Sequence, residues 1–105
     1  MFTNNPSKYA RFVLSRIGLI KHFSDVIGME ELNFSLKPHL NAYRYVQQQH
    51  SGYSRIIFCD DRAENLNVAK QLGWETVMAT YINSSQKNVE GHTELDSFEN
   101  LIGIV

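Results

Sequence analysis

The segment Arg55-Ile56-Ile57-Phe58-Cys59-Asp60-Asp61-Arg62-Ala63-Glu64-Asn65 limits the fold more than any other part of the chain. A short apolar run rich in β-branched and aromatic residues reads as a buried strand, and two adjacent carboxylates follow it at once. Neighbouring residues on a strand point to opposite faces, so a working pair of acids fits only where the backbone leaves the sheet. The carboxyl end of a strand is also where open α/β sheets bind ligands. A hard divalent cation takes oxygen ligands and keeps much of its water, so one or two carboxylates plus a substrate phosphate can hold it. Asp60 and Asp61 are therefore expected to coordinate magnesium beside a phosphate. The competing explanation is that both acids simply favour the positive end of the following helix.

The flanking segments alternate strand and helix. Tyr9, Phe12, Val13, Ile17 and Ile20 recur at helical spacing, which predicts an amphipathic helix from Ser7 to Arg16 or beyond, capped by Asn4, Asn5 or Ser7 and ended by Gly18. Phe23 to Ile27 reads as a strand closed by Gly28, and Glu30, Glu31 and Asn33 as a polar connection. Pro38 suits the first turn of a helix carried by Leu40, Tyr43 and Val46 to His50 and broken at Ser51-Gly52. A strand over Arg55–Cys59, a helix over Ala63–Leu72 stopped by Gly73 and a strand over Thr76–Tyr81 follow. The polar stretch 83–91 reads as a mobile loop, and Leu95, Phe98, Leu101 and Ile102 as a short closing helix. This alternation implies crossovers and a parallel sheet in an α/β domain, with 105 residues forming one unit.

Two further pieces precede the acidic loop in fixed order: Phe2-Thr3-Asn4, and Leu36-Lys37-Pro38. With Phe58 to Asp61 they resemble the second, third and fourth motifs of the haloacid dehalogenase (HAD) phosphohydrolase superfamily, in its pyrimidine 5'-nucleotidase-like branch. The likeness extends through Ile17-Gly18-Leu19, Lys37-Pro38 with Ala42-Tyr43, and Leu72-Gly73-Trp74 with Thr76-Val77, nearly the whole chain. The resemblance implies a Rossmann-like three-layer core and a magnesium-dependent phosphomonoesterase acting on a small phosphomonoester such as a nucleoside monophosphate. It implies that Thr3 donates its hydroxyl to a phosphoryl oxygen, aided by N–H groups at the helix start. Asn4 would contribute to the same phosphate loop, and Lys37 would stabilise the phosphoryl group electrostatically. Asp60 would be the direct metal ligand, Asp61 a ligand through water or an orienter of Lys37, and Asn65 a brace for the acidic loop.

The family's first motif, Asp-x-Asp, is not in this sequence: the aspartates are Asp25, Asp60, Asp61 and Asp96. That motif supplies the nucleophile and the acid–base aspartate, so the chain alone is expected to be inactive. Its strand lies in the family between those ending in Thr3 and Asp60, so the resemblance implies a partial sheet lacking the central first strand. Marginal stability, and either self-association or pairing with a missing amino-terminal half, are expected. Tyr9 stands where the branch often has histidine, which weakens the case for a nucleotide. A non-catalytic HAD-derived binding or oligomerisation module is the alternative. A phosphoacceptor receiver domain uses similar residues but places the acid pair first and the lysine last, the reverse of the order here.

Composition narrows the setting. A net charge of -1 gives no case for nucleic acid or an anionic membrane surface. No apolar run approaches the roughly 20 residues of a bilayer span, and the single Cys59 agrees with a reducing compartment, so a cytoplasmic address is expected. Cys59 itself reads as a small buried hydrophobe. His22, His39, His50 and His92 have no metal-ligand spacing, and Trp74 and the tyrosines read as core or interface.

Overall fold

The computed structural model describes residues 1–82 and 91–103, which fall into two compact units, Met1–Ser51 and Gly52–Val105. The sequence reading of a mobile loop at 83–91 lies outside the described residues apart from Gly91. Among the described residues no helix is long and apolar enough to cross a membrane.

The carboxyl-terminal unit is α/β, built on a parallel three-stranded sheet. Strand β1 (Ile57–Asp60) leads through a helix at Ala63–Gln71 to β2 (Glu75–Ala79), and β3 (Thr93–Leu95) follows, in the spatial order β1-β2-β3. Register aligns Ile57 with Glu75, Asp60 with Met78, Val77 with Thr93 and Ala79 with Leu95. The helix packs on β1 and β2 through Leu66 and Ala69, both fully buried. Val77, Met78 and Ala79 are buried in succession, which is the pattern of a strand covered on both faces. Thr80, just past β2, is buried and satisfied, its N–H and hydroxyl both donating to the Leu95 carbonyl.

Three sequence expectations change here. Strand β3 takes Leu95 away from the expected closing helix, which shrinks to a 3-10 segment at Phe98–Gly103. Three residues are too few for a period-2 pattern to show. Cys59 is exposed, because alternation along β1 turns Phe58 inward and Cys59 to the other face. The strand bounds also shift, β1 to Ile57–Asp60 from Arg55–Cys59 and β2 to Glu75–Ala79 from Thr76–Tyr81.

The amino-terminal unit has less regular structure. Helix α1 (Ser7–Arg16) has the expected span, and Gly18 ends it at φ 77°. The Gly18 N–H donates to Ser15 O and the Leu19 N–H to Leu14 O, a Schellman motif. The same arrangement closes the helix at Ala63–Gln71, hereafter α3, with Gly73 at φ 82° and the N–H groups of Gly73 and Trp74 donating to Lys70 O and Ala69 O. Helix α2 (Leu40–Gln49) starts later than Pro38: His39 is its cap, and its ring accepts the Asn41 N–H. Ala42 and Tyr43 are the fully buried residues of α2.

The expected apolar stripe of α1 does not face the core. Ser7, Ala10 and Leu14 are buried, with Ala10 and Leu14 packed on Val26 beside Ile20. Tyr9, Phe12 and Ile17 are about 60% exposed. The apolar residues of α1 spread over an arc wider than the buried face, with Ala10 and Leu14 at one edge and Tyr9 and Phe12 towards the other, so periodicity alone did not select that face. The strand expected at Phe23–Ile27 contracts to one parallel bridge, Phe2 with Ile27, bounded by Thr3 N–H to Ile27 O at 3.0 Å and Ile27 N–H to Met1 O at 2.8 Å. Gly28 is needed at the crossing that follows: a Cβ there would lie 2.6 Å from Ser7 N and 2.7 Å from Asn5 O.

Candidate functional site

The expected site residues divide between the units: Thr3, Asn4 and Lys37 in the first, Asp60, Asp61 and Asn65 in the second. In the amino-terminal unit, the bridge at Phe2 fixes the short segment that carries Thr3 and Asn4. The Thr3 hydroxyl oxygen accepts the Asn5 N–H at 3.1 Å, a local turn that sets its side chain. Lys37, more than thirty residues on, is brought to the same segment. Its ammonium donates to the Phe2 carbonyl at 3.2 Å and lies 4.8 Å from the centre of the Phe2 ring. That ring is held in turn by Tyr43, edge-on at 5.4 Å. Positive charge is thereby held on the residue next to Thr3.

Asn4 joins the two pieces through both ends of its side-chain amide. Nδ2 donates to Lys37 O at 3.0 Å, and Oδ1 accepts the Lys37 N–H at 2.8 Å. The Lys37-Pro38 peptide is cis.

The start of α1 departs from expectation. Pro6 is its cap residue and makes no side-chain cap hydrogen bond, so none of Asn4, Asn5 and Ser7 serves as the cap. The Ser7 N–H instead donates to Glu30 Oε2 at 2.8 Å, from a carboxylate 23 residues away. This backbone N–H holds the Glu30 carboxyl below its ordinary range. One of the amides expected to meet phosphate is therefore occupied by the protein's own anion. Glu31 completes the turn by accepting the Gly28 N–H at 3.3 Å. A polar connection was expected at these residues; the capping role of Glu30 lies beyond the reach of local pattern because it is long-range.

In the carboxyl-terminal unit, Asp60 is the last residue of β1 and Asp61 the first beyond it, which puts the acid pair at the carboxyl end of the strand. The Asp60 carboxylate is oriented twice: Oδ1 accepts the Arg62 N–H at 3.0 Å, and Asn65 Nδ2 lies 3.2 Å from both oxygens. Asn65 is buried, one turn into α3. Arg62 is the cap residue of α3 and its own side chain makes no cap hydrogen bond, while the Asp60 carboxylate takes the N–H of that residue at the start of the helix. The exposed Cys59 thiol is pushed above its ordinary value by packing around the sulfur and then by Asp60 and Asp61, so it stays protonated and poorly nucleophilic.

Among the described residues no group of three or more His, Cys, Asp or Glu is placed to hold a metal. A magnesium ion bound through one or two carboxylates and a phosphate does not require three. Asp60, held by Asn65 and the Arg62 N–H, and Asp61 offer hard oxygen donors that fit it.

One cluster escaped sequence reasoning. His92 lies between Asn67 and Thr76, with Nε2 2.8 Å from Asn67 Oδ1 and Nδ1 2.6 Å from Thr76 Oγ1. The Asn67 oxygen can only accept, so the proton sits on Nε2 and Nδ1 accepts from the Thr76 hydroxyl. Burial and then Lys70 lower the His92 pKa. A cavity of about 400 Å³ adjoins Thr76 and Thr93 at the amino ends of their strands, lined also by Lys70 and Trp74. It lies at the opposite end of the sheet from Asp60.

No family model matches this chain, and no curated protein matches it in sequence.

Proposed function

We propose that this chain forms part of the core of a HAD-like, magnesium-dependent phosphomonoesterase, supplying a phosphate clamp through Thr3 and Lys37 and metal ligands through Asp60 and Asp61. The observation that carries the reading is the Lys37 ammonium held on the Phe2 carbonyl beside Thr3, because a solvent-facing lysine has no reason to be recruited there from 35 residues away. The bracing of Asp60 by Asn65 supports it from the second unit.

In this reading the Thr3 hydroxyl donates to one phosphoryl oxygen and Lys37 offsets the charge of the others. Asp60 is held ready to bind the metal, with Asp61 as second ligand or through water. Magnesium, when bound, neutralises phosphoryl charge. The sequence contains no Asp-x-Asp pair, so the aspartate that attacks phosphorus must come from elsewhere, and the chain by itself binds without turning over. The substrate class is a small phosphomonoester, with a nucleoside monophosphate as the resembled case.

The test is phosphate release from uridine monophosphate and an aryl phosphate, with and without magnesium, beside amide spectra titrated with magnesium and inorganic phosphate. The expected result is no turnover, magnesium-dependent shifts at Asp60 and Asp61 that vanish in Asp60→Asn, and phosphate-dependent shifts at Thr3 and Lys37. Absence of both sets of shifts overturns the reading, and magnesium-dependent turnover lost in Asp60→Asn overturns the claim of incompleteness. A second reading, a non-catalytic module that works by association, is favoured by the exposed Tyr9, Phe12 and Ile17 on α1. It predicts a defined oligomer by light scattering and no magnesium response.

A further inference from the structure

We propose that Asn4 is a positioning residue, which places the Lys37 ammonium without itself touching phosphate. This rests on the reading of Lys37 as part of the phosphate clamp. The Asn4 amide makes both hydrogen bonds that one peptide group makes in a strand ladder, donating to the Lys37 carbonyl at 3.0 Å and accepting its N–H at 2.8 Å. Only a side-chain amide can do both, since Asp lacks the donor and Ala or Leu lack both groups.

Fixing Lys37 on both sides of its Cα sets the direction of its side chain. A lysine stem has four rotatable carbons, and an unfixed backbone would spread its ammonium over many positions. Here the start of the stem is set by Asn4 and its end by the Phe2 carbonyl and ring, which belong to the same segment as Asn4. Tyr43, fully buried, keeps the Phe2 ring in place. The segment 2–5 thus assigns each group a separate task. Phe2 seats the ammonium, Thr3 offers its hydroxyl oxygen to Asn5 and keeps its proton available, and Asn4 aligns the lysine.

The experiment compares the full chain with Asn4→Ala and Asn4→Asp by NMR. A Lys37 ε-methylene over an aromatic ring resonates upfield of a solvent-exposed one. In Asn4→Ala that shift is expected to collapse and the Lys37 amide proton to exchange at least tenfold faster, while protection of Ala42 and Tyr43 in α2 is unchanged. Asn4→Asp keeps the acceptor and loses the donor, so it should fall between the two; it also decides the matter if Asn4→Ala fails to fold. An unchanged Lys37 shift in either folded variant overturns the proposal.

Titration with inorganic phosphate separates this inference from the one beneath it. Binding weakened at least tenfold in Asn4→Ala supports both. Wild-type protein that ignores phosphate refutes the clamp, and with it any role for Asn4 in serving one, whereas wild-type binding that Asn4→Ala leaves intact refutes the positioning role alone.

Discussion

The two units solve the same problem, satisfying buried backbone, by different means. In the carboxyl-terminal unit, parallel ladders join β1 to β2 and β2 to β3, and the hydrogen bonds fall on whichever residues occupy the register. In the amino-terminal unit one bridge stands in for a sheet, and particular side chains reach across the sequence instead: Asn4 to Lys37, and Glu30 to Ser7. A ladder tolerates exchange of its side chains, since the bonds belong to the backbone. A unit held by side chains gives each of them a specific task, so its polar residues should matter as much as its apolar ones.

The largest expected effect tests the first half of that contrast. Leu66 is fully buried between α3 and the sheet, and Leu66→Ala should cost about 2–5 kcal/mol by lost transfer energy and the cavity left behind. Denaturant unfolding followed at Trp74, itself buried in this unit and edge-on to Phe58 at 5.9 Å, measures it. A loss near zero would mean that the apolar core is not what holds the ladders together. Gly28→Ala is the counterpart in the amino-terminal unit. The new methyl would meet backbone of Ser7 and Asn5 under 3.0 Å away, and backbone cannot rotate aside as a side chain can. A loss of about 1–3 kcal/mol is expected, read as faster amide exchange at Ser7 and Ile27. A neutral result would show that the crossing at Gly28 is looser than it stands here.

The contrast also explains what could be read in advance. In the carboxyl-terminal unit the β1, α3 and β2 segments, the acidic loop and the stop at Gly73 were visible because each depends on local pattern. The three-residue β3, the exposure of Cys59 and the cluster around His92 escaped. In the amino-terminal unit the span of α1 and its end at Gly18 were visible for the same reason. The buried face of α1 was not, because Tyr9, Phe12 and Ile17 compete on hydrophobicity with Ala10 and Leu14, and tertiary packing decides. Neither was the cap from Glu30, which no spacing rule reaches. Of the supports in the candidate site, the Asn65 brace of the acidic loop was legible one helical turn away, but the two-point hold of Asn4 on Lys37 needs geometry.

Titration should separate the units by pH. His92 has its pKa lowered in the folded protein by burial and Lys70, so the unfolded chain binds more protons, and the stability it contributes is full above the ordinary histidine range and fades as pH falls through it. Glu30 has its pKa lowered chiefly by the Ser7 N–H, so its contribution persists through that range and fades only as pH drops below ordinary carboxylate values. Amide exchange across β2 should therefore quicken first on acidification, and exchange at the start of α1 later. Glu30→Gln should remove the second change and leave the first. A single transition common to both units, unaffected by that substitution, would break the comparison.

The smallest effect concerns a left-handed residue. Gly18 and Gly73 take positive φ at helix ends, where glycine has no steric cost, but the turn after Gly28 places Asn33 at φ 51° and Phe34 at φ 61°. Asparagine tolerates that region; phenylalanine pays about 1–2 kcal/mol for it. Phe34 is 67% exposed, so its ring recovers little by burial, while its N–H still donates to Met29 O at 3.1 Å. Phe34→Gly removes the steric cost and adds roughly 0.5–1 kcal/mol of chain entropy to the unfolded state, for a net gain of about 0.5 kcal/mol. Denaturant midpoints of the two proteins measure it. A loss instead of a gain would mean that the ring is held by contacts strong enough to impose the strain, and would count Phe34 among the side chains that give the amino-terminal unit its shape.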